Sequence, residues 1–384
     1  MSGFKKKIAF ALKHNLFLLK LYRFIFSGIF RFLGLFIRIN PKLILFSSFG
    51  GDRYDDSPKV LFEAIKNDNF FNDYQFYWGM NDANKKIEGA TTIKMDSFKY
   101  FITALKSRIW ITNVNIERGL KFKKRGTIYL NTWHGTSSKK VGNAVKGRKD
   151  YDFSNCDILC VDGEYYKNIF VKYFKAKDNS FLYCGRPRED GLFNKDCNYI
   201  NSIKEKLGID ASKKVLFYAP TWRDYKLKPI NWNLWRKLLG SEYVILTRFH
   251  HFTNEANEDL PVFDNEFFYD VTNYENLNDL YLVSDFLITD YSSCMFDFGL
   301  LKKPYYSFAT DYEKYLEYPG SFFDLDDVLY CGVFKDEILL IKHIMNCDYE
   351  KDSRECFKVT SKICQYYGHA TDACIEKIKQ KISL

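Results

Sequence analysis

Proline is scarce in this chain, 8 of 384 residues, and it has neither a low-complexity tract nor an internal repeat, which excludes a disordered or fibrous protein. The ten cysteines form no CxxC pair, and the nearest two, Cys156 and Cys160, do not match a zinc-ligand spacing. Several lie in apolar runs, Cys160 in ILCVD and Cys184 in FLYCG, the setting of buried free thiols in a reducing compartment. A Walker loop, a GxGxxG fingerprint and a GxSxG elbow are all missing, so P-loop, dinucleotide-binding and hydrolase readings have no support. The net charge of +9 comes without a long basic tail or a nucleic-acid-binding signature. Anionic lipid or a phosphorylated substrate is therefore the expected partner, and nucleic acid is not.

What the chain has in excess is aromatic surface, with 36 Phe and 28 Tyr. Some of it should meet a membrane, a stacked base or a partner. The first forty residues have a basic start and a hydrophobic middle, but Lys13, Lys20, Arg23, Arg31 and Arg38 interrupt them. The charge-free stretches are about seven residues long, and a membrane span needs about twenty. No small-residue cleavage site follows. Lys6, Lys13, Lys20, Ser27, Arg31 and Arg38 are separated by 7, 7, 7, 4 and 7 residues, which in a helix makes one narrow polar stripe. The rest of the circumference is Phe, Leu and Ile. This pattern predicts a segment lying in a lipid interface, aromatics down and cations toward phosphate headgroups. Gly28 and Gly34 are expected to divide it in two. The plainer alternative is a helix packed on the body with its stripe facing water.

After Pro41 short apolar runs alternate with helical periodicity. Strands are expected at 43–47, 74–78, 109–112, 128–132 and 158–162, then at 215–219, 243–246, 267–270, 286–289 and 305–308. Helices are expected between them, for example over 57–66 and 276–284, the first opened by Asp56, Ser57 and Pro58. Two such series imply two doubly wound α/β domains with a linker near 196–210.

Open α/β sheets bind ligands at the carboxyl ends of their strands, so the residues just past each strand are the candidates. Past 128–132 come Trp133, His134 and Gly135. A histidine on a turn that glycine lets bend sharply can serve as a general base, or can simply cap the turn. Past 215–219 come Thr221, Trp222 and Arg223, and past 243–246 come Arg248, His250 and His251. Arg248 and His250 point the same way, as a phosphate requires, unless all are ordinary exposed loop residues. The strongest element is FLITDYSSCMFDF at 286–298. A strand ends in Thr289 and Asp290, and Tyr291, Ser292 and Ser293 open a helix whose amides, dipole and hydroxyls suit a diphosphate. Simple N-capping by Ser292 is the alternative. Gly50, Gly51 and Asp52 form a loop open to an acceptor, and Asp324, Asp326 and Asp327 are a weak metal candidate. No metal ligand set and no cofactor are expected, and the sequence leaves a divalent-metal requirement open.

Six strings in order carry a family resemblance: TWHGTSSKKVG at 132–142, GRPRED at 185–190, YAPTWRD at 218–224, RFH at 248–250, LITDYSSCMFDFGLLKKP at 287–304 and GHATDACI at 368–375. Together they resemble the CDP-glycerol glycerophosphotransferase family, the teichoic acid primases and polymerases. The resemblance implies a GT-B-like α/β architecture, two Rossmann-like doubly wound domains facing a cleft, with an N-terminal amphipathic membrane-interface helix. It implies a membrane-associating segment at 1–40, an acceptor-side domain at 41–200 and a CDP-donor-binding domain at 201–384. The implied reaction moves glycerol phosphate, or a similar polyol phosphate, from CDP-glycerol to a lipid-linked teichoic acid or capsule precursor and releases CMP. The implied partners are a CDP-activated polyol, a polyprenyl-diphosphate-linked acceptor and the anionic cytoplasmic face of the cell membrane, where the protein would be peripheral.

By position, His134 matches the family's proposed base, and His250 matches a histidine near the donor phosphates. Asp290, Ser292 and Ser293 match the donor-phosphate loop, with Thr221, Arg223 and Arg248 beside it. Arg188 and Asp190 match a Gly-x-Pro-Arg-x-Asp motif. They are placed with Lys139 and Asp297 on the acceptor side, without an assigned role. Two departures stand out. Ser137 and Ser138 follow WHGT where the family often has Pro-Leu, and His251 follows His250 where it often has proline or tyrosine. CDP-ribitol, a nucleotide sugar, or a scaffold protein with a dead transferase site are the competing readings.

Overall fold

The computed structural model describes residues 15–146, 148, 151–221, 223, 225, 228–249, 260–317 and 320–383. Its first sheet comprises β1 (Asn40–Ser47), β2 (Gln75–Met80), β3 (Thr91–Lys94), β4 (Ser107–Thr112), β5 (Ile128–Asn131), β6 (Ile158–Val161) and β7 (Phe181–Tyr183), in the spatial order β3-β2-β1-β4-β5-β6-β7. The second comprises β8 (Lys214–Tyr218), β9 (Tyr243–Thr247), β10 (Phe268–Asp270), β11 (Phe286–Thr289), β12 (Tyr305–Phe308) and β13 (Val333–Phe334), in the order β10-β9-β8-β11-β12-β13. Every pairing is parallel.

All ten runs expected from sequence are strands. The three that were not expected, β3, β7 and β13, are each at a sheet edge. An edge strand is buried on fewer sides, so it needs no continuous apolar run. Only one of the four β3 residues and none of the three in β7 is fully buried. The central strands are buried on both faces. In the first sheet Leu45, Trp110 and Tyr129 enter one core, and Ile44, Phe46 and Ile109 enter the other.

The strand order reverses between β1 and β4 and again between β8 and β11, so each domain opens a crevice at its switch point. The segment expected as a linker holds a helix, Cys197–Leu207, capped by Asp196. The final helix, Ala370–Ile382, had been placed with the second domain. It returns to the first, where Ala370, Cys374, Ile375 and Ile378 pack into the core beneath β1. It therefore straps the end of the chain onto the N-terminal domain.

The N-terminal helix runs unbroken over Leu16–Phe36, so Gly28 and Gly34 do not divide it. Asn15 caps it, its side chain accepting from the amides of Phe17 and Leu18. It docks along one narrow seam. Phe30 packs between Phe101 and Phe122, and Ser27 Oγ accepts from the Lys121 amide at 3.0 Å. Arg31 Nε donates to the Lys121 carbonyl at 2.7 Å. The polar stripe is thus turned partly against the body, where Ser27 is 7% exposed, and not wholly toward solvent or headgroups. The exposed remainder includes Phe17, Phe24, Phe32, Leu35 and Phe36, each more than 60% accessible. Among the described residues no helix is long and apolar enough to cross a membrane. Lys6 and Lys13 lie outside the described residues.

Candidate active site between the two sheets

The loops that follow β5, β8, β9 and β11 meet across a cleft of about 520 Å³. From the first domain it is lined by His134, Gly135, Ser137 and Lys139, and from the second by Thr221, Arg248, Ser292 and Ser293. The approach is close: a Cβ on Gly135 would lie 3.0 Å from Ser293 Oγ and 3.3 Å from Arg188 Nη2. Gly135 also has φ +141°, so any side chain there would both strain the turn and wedge the domains apart.

His134 is held in one tautomer. Its Nδ1 lies 2.8 Å from the carbonyl oxygen of Asn113, an atom that can only accept, so Nδ1 carries the proton and Nε2 keeps its lone pair. The ring lies against Trp133, itself at φ +57°, with centroids 4.0 Å apart and planes tilted by 32°. Burial pulls the imidazole below its ordinary value, against the Asn113 hydrogen bond and nearby Asp56, so the ring stays neutral and able to accept a proton. Asn113 was not singled out from sequence, although it directly follows β4 and obeys the same strand-end rule. Its side-chain oxygen accepts from the Phe49 amide, which ties the loop after β1 to the same turn.

Two cations face the cleft from opposite domains. Lys139, which had no assigned role, is held below its usual value by burial, with Asp290 opposing that shift. Arg248 donates through Nη1 to the Tyr274 carbonyl, and among the described residues no carboxylate pairs with it. Such a pair can clamp a diphosphate.

Asp290 and Arg223 do different work from that expected. Asp290 is 1% exposed, and its carboxylate accepts from the Thr221 amide and hydroxyl, Arg223 Nη1 and the amides of Tyr291 and Ser292, all within 3.1 Å. Arg223 spends its other donors on Asp311 and the Thr221 carbonyl. Neither lines the cleft. They are a buried brace that fixes the loops carrying Thr221 and Ser292. The Tyr291 and Ser292 amides expected to meet a phosphate are taken by Asp290, and the helix behind them, Cys294–Gly299, is only six residues long. What the cleft offers an anion is therefore hydroxyls and side-chain cations more than a helix dipole. His250 and His251 lie outside the described residues, as does Trp222.

Arg188 is the latch between domains. Its guanidinium bonds Asp56 at 2.9 Å and the His134 carbonyl at 3.1 Å on one side, and Asp297 at 2.6 Å on the other. Its carbonyl accepts from Asn278. Burial raises the Asp297 carboxyl, against the pull of Arg188. A second junction joins 138–140 to 320–322, where the Phe322 amide donates to the Ser138 carbonyl and the Lys140 amide to that of Gly320. Asp190 proves structural: its two carboxylate oxygens accept from the amides of Ala370 and Thr371, capping the C-terminal helix from outside that helix.

The weaker candidates resolve as packing features. Gly51, at φ +92°, sits against the backbone of Gly79 and Asn81, too close for a side chain. Asp324 caps the helix Leu325–Val328, and Asp326 accepts from the Val333 amide. Two metal-capable clusters were invisible to spacing rules: Cys160, Cys184 and Cys374 in one core, and Cys331, His343 and Asp352 in the second domain. Neither lines the cleft.

Two parallel doubly wound sheets, with a cleft formed by the carboxyl ends of both, define a GT-B-type fold. The family described as CDP-Glycerol:Poly(glycerophosphate) glycerophosphotransferase matches residues 29–379, and the chain belongs to that family. It is 33% identical over 368 residues to the teichoic acid poly(glycerol phosphate) polymerase of Staphylococcus epidermidis, covering 86% of this chain but 50% of that one. It is 34% identical over 338 residues to the teichoic acid glycerol-phosphate transferase of Staphylococcus aureus, covering 80% of this chain and 85% of that one. The chain thus spans half the length of the first relative and most of the second. The structure of the wall teichoic acid polymerase TagF superposes with a TM-score of 0.81 at 31% identity, covering 93% of each chain. A form of that polymerase has been soaked with CDPG.

Proposed function

We propose that this chain transfers glycerol phosphate from CDP-glycerol to a hydroxyl on a lipid-linked teichoic acid or capsule precursor, releasing CMP. The observation that carries the reading is the cleft itself, where a neutral, tautomer-fixed His134 faces hydroxyls and the Arg248 guanidinium from the other domain. The acceptor hydroxyl gives its proton to Nε2 of His134 as its oxygen attacks the phosphorus that carries glycerol. The bond from that phosphorus to the bridging oxygen breaks, and CMP leaves. Lys139, Arg248, Thr221, Ser292 and Ser293 hold the diphosphate. The buried pair Asp290 and Arg223 keeps the last three in position. Such transfers depend mainly on positioning and charge stabilisation, which this inventory provides without a resident cofactor. His250, beside Arg248 in sequence, is assigned to the donor phosphates through the family motif.

The first domain takes the acceptor and the second the CDP moiety. The exposed aromatic face of Leu16–Phe36 lies in the headgroup region of the cytoplasmic leaflet and makes the protein peripheral to the membrane. This placement suits an acceptor that cannot leave the bilayer.

The test is a donor screen with a lipid-linked acceptor, comparing CDP-glycerol, CDP-ribitol and UDP-sugars by CMP or UDP release and product mass. CMP release with a product heavier by one glycerol phosphate supports the reading. Turnover with a UDP-sugar alone would replace it with a glycosyltransferase.

A further inference from the structure

Between the N-terminal helix and the first domain lies a second cavity, of about 820 Å³. Arg23, Arg31, Lys121, Arg148, Lys172 and Lys175 line it. The acids among its walls are already engaged. Glu117 accepts from the amides of Phe122 and Lys123, and Asp152 pairs with Lys121 at 2.6 Å and with Lys175 at 3.8 Å, two acids against six cations. The cavity is therefore strongly cationic, a setting for an anion with several negative oxygens.

Its outer wall is the N-terminal helix, whose exposed Phe24, Ile25 and Ile29 line the cavity beside the cations. A soluble anion gains nothing from that apolar apron, whereas a lipid with an anionic head gains from both parts. Its inner wall is shared with the catalytic cleft. Asn113 holds the His134 ring, and two residues later Asn115 lines the basic cavity. Tyr151 lines the cavity and packs edge-on at 5.7 Å against Trp133, which lines the cleft and lies against His134.

We infer that this cavity binds the diphosphate head of the lipid that carries the acceptor, so that the acceptor's hydroxyl end is handed past Trp133 to His134. The inference rests on the transferase reading above, and its test can fail separately from it. Flotation of the full chain would be measured with phosphatidylcholine vesicles containing polyprenyl diphosphate, and with vesicles carrying the same charge as phosphatidylglycerol. The diphosphate lipid is expected to bind about tenfold tighter, the scale of one charge-assisted hydrogen bond. Millimolar inorganic pyrophosphate should weaken only that preference. The double variant Lys172→Gln, Lys175→Gln should lose it, and Lys85→Gln, Lys86→Gln, equal in charge change but away from the cavity, should keep it. Equal binding to both vesicles, an unchanged preference in the first variant, or pyrophosphate binding as tightly as the lipid would overturn the site. Lipid preference without CMP release from any donor would instead overturn the transferase reading and leave the site standing.

Discussion

The imidazole of His134, the proposed base, takes its state from what lies behind it. The Asn113 carbonyl fixes the proton on Nδ1, and burial keeps the ring neutral. His134→Ala should retain CDP-glycerol binding by titration and lose about 10²- to 10⁴-fold in turnover, the usual contribution of a positioned base. Because the folded value is depressed, the neutral base survives into acid. The acid limb of kcat/KM should therefore fall below the ordinary imidazole value of about 6.5. The same shift contributes stability above that pH, lost as pH falls through the folded value. A limb at or above about 6.5 would show that the titrating base is another group. At the opposite wall, Arg248→Gln should raise the donor KM by about tenfold or more with a smaller effect on CMP release at saturation, since it removes a charge-assisted contact to a ground-state diphosphate.

At the scale of elements, two helices depend on residues outside themselves. The C-terminal helix begins at Ala370, and its first amides are satisfied by Asp190, far away in sequence. Asp190→Ala should lower stability by about 0.5–2 kcal/mol, the ordinary worth of a cap, measurable as a shifted urea midpoint. The N-terminal helix holds the body through Phe30, Ser27 and Arg31 and leaves most of its apolar surface uncovered. Replacing Phe17, Phe24 and Phe32 by Ser touches none of that seam. Sedimentation with anionic vesicles should drop sharply while the urea midpoint barely moves. Undiminished sedimentation would mean that another surface holds the membrane.

For the molecule as a whole, Arg188 is the charged contact among those that hold the two sheets in register. It bonds Asp56 and Asp297, both largely buried. Arg188→Ala leaves two buried carboxylates without their partner, a loss on the order of 3–5 kcal/mol. Restoring neutrality with Asp56→Asn and Asp297→Asn should recover part of the stability in urea. It should not recover the turnover, because the domain register that sets Gly135 against Ser293 would still be loose. Recovery of turnover as well would show that Arg188 is a stabilising ion pair and not a positioning one.

By itself the sequence determined ten of the thirteen strands, the parallel doubly wound class and the strand ends that line the cleft. Those depend on short-range facts: an apolar run long enough to be buried on both faces, and the polar or glycine residues that end it. His134, Arg248, Ser292 and Ser293 were legible for that reason. The edge strands β3, β7 and β13 were not, because half-exposed pairing imposes no apolar pattern. Only the tertiary structure decided which polar residues face the cleft and which are consumed behind it. Asp290 and Arg223 look like ligand contacts in the chain and are a mutual brace in the fold. Arg188, Asp190 and Lys139 gained roles only when distant segments met. The reason is physical: a charged side chain is defined by its partners, and partners far apart in the chain are brought together by packing, which no local pattern records.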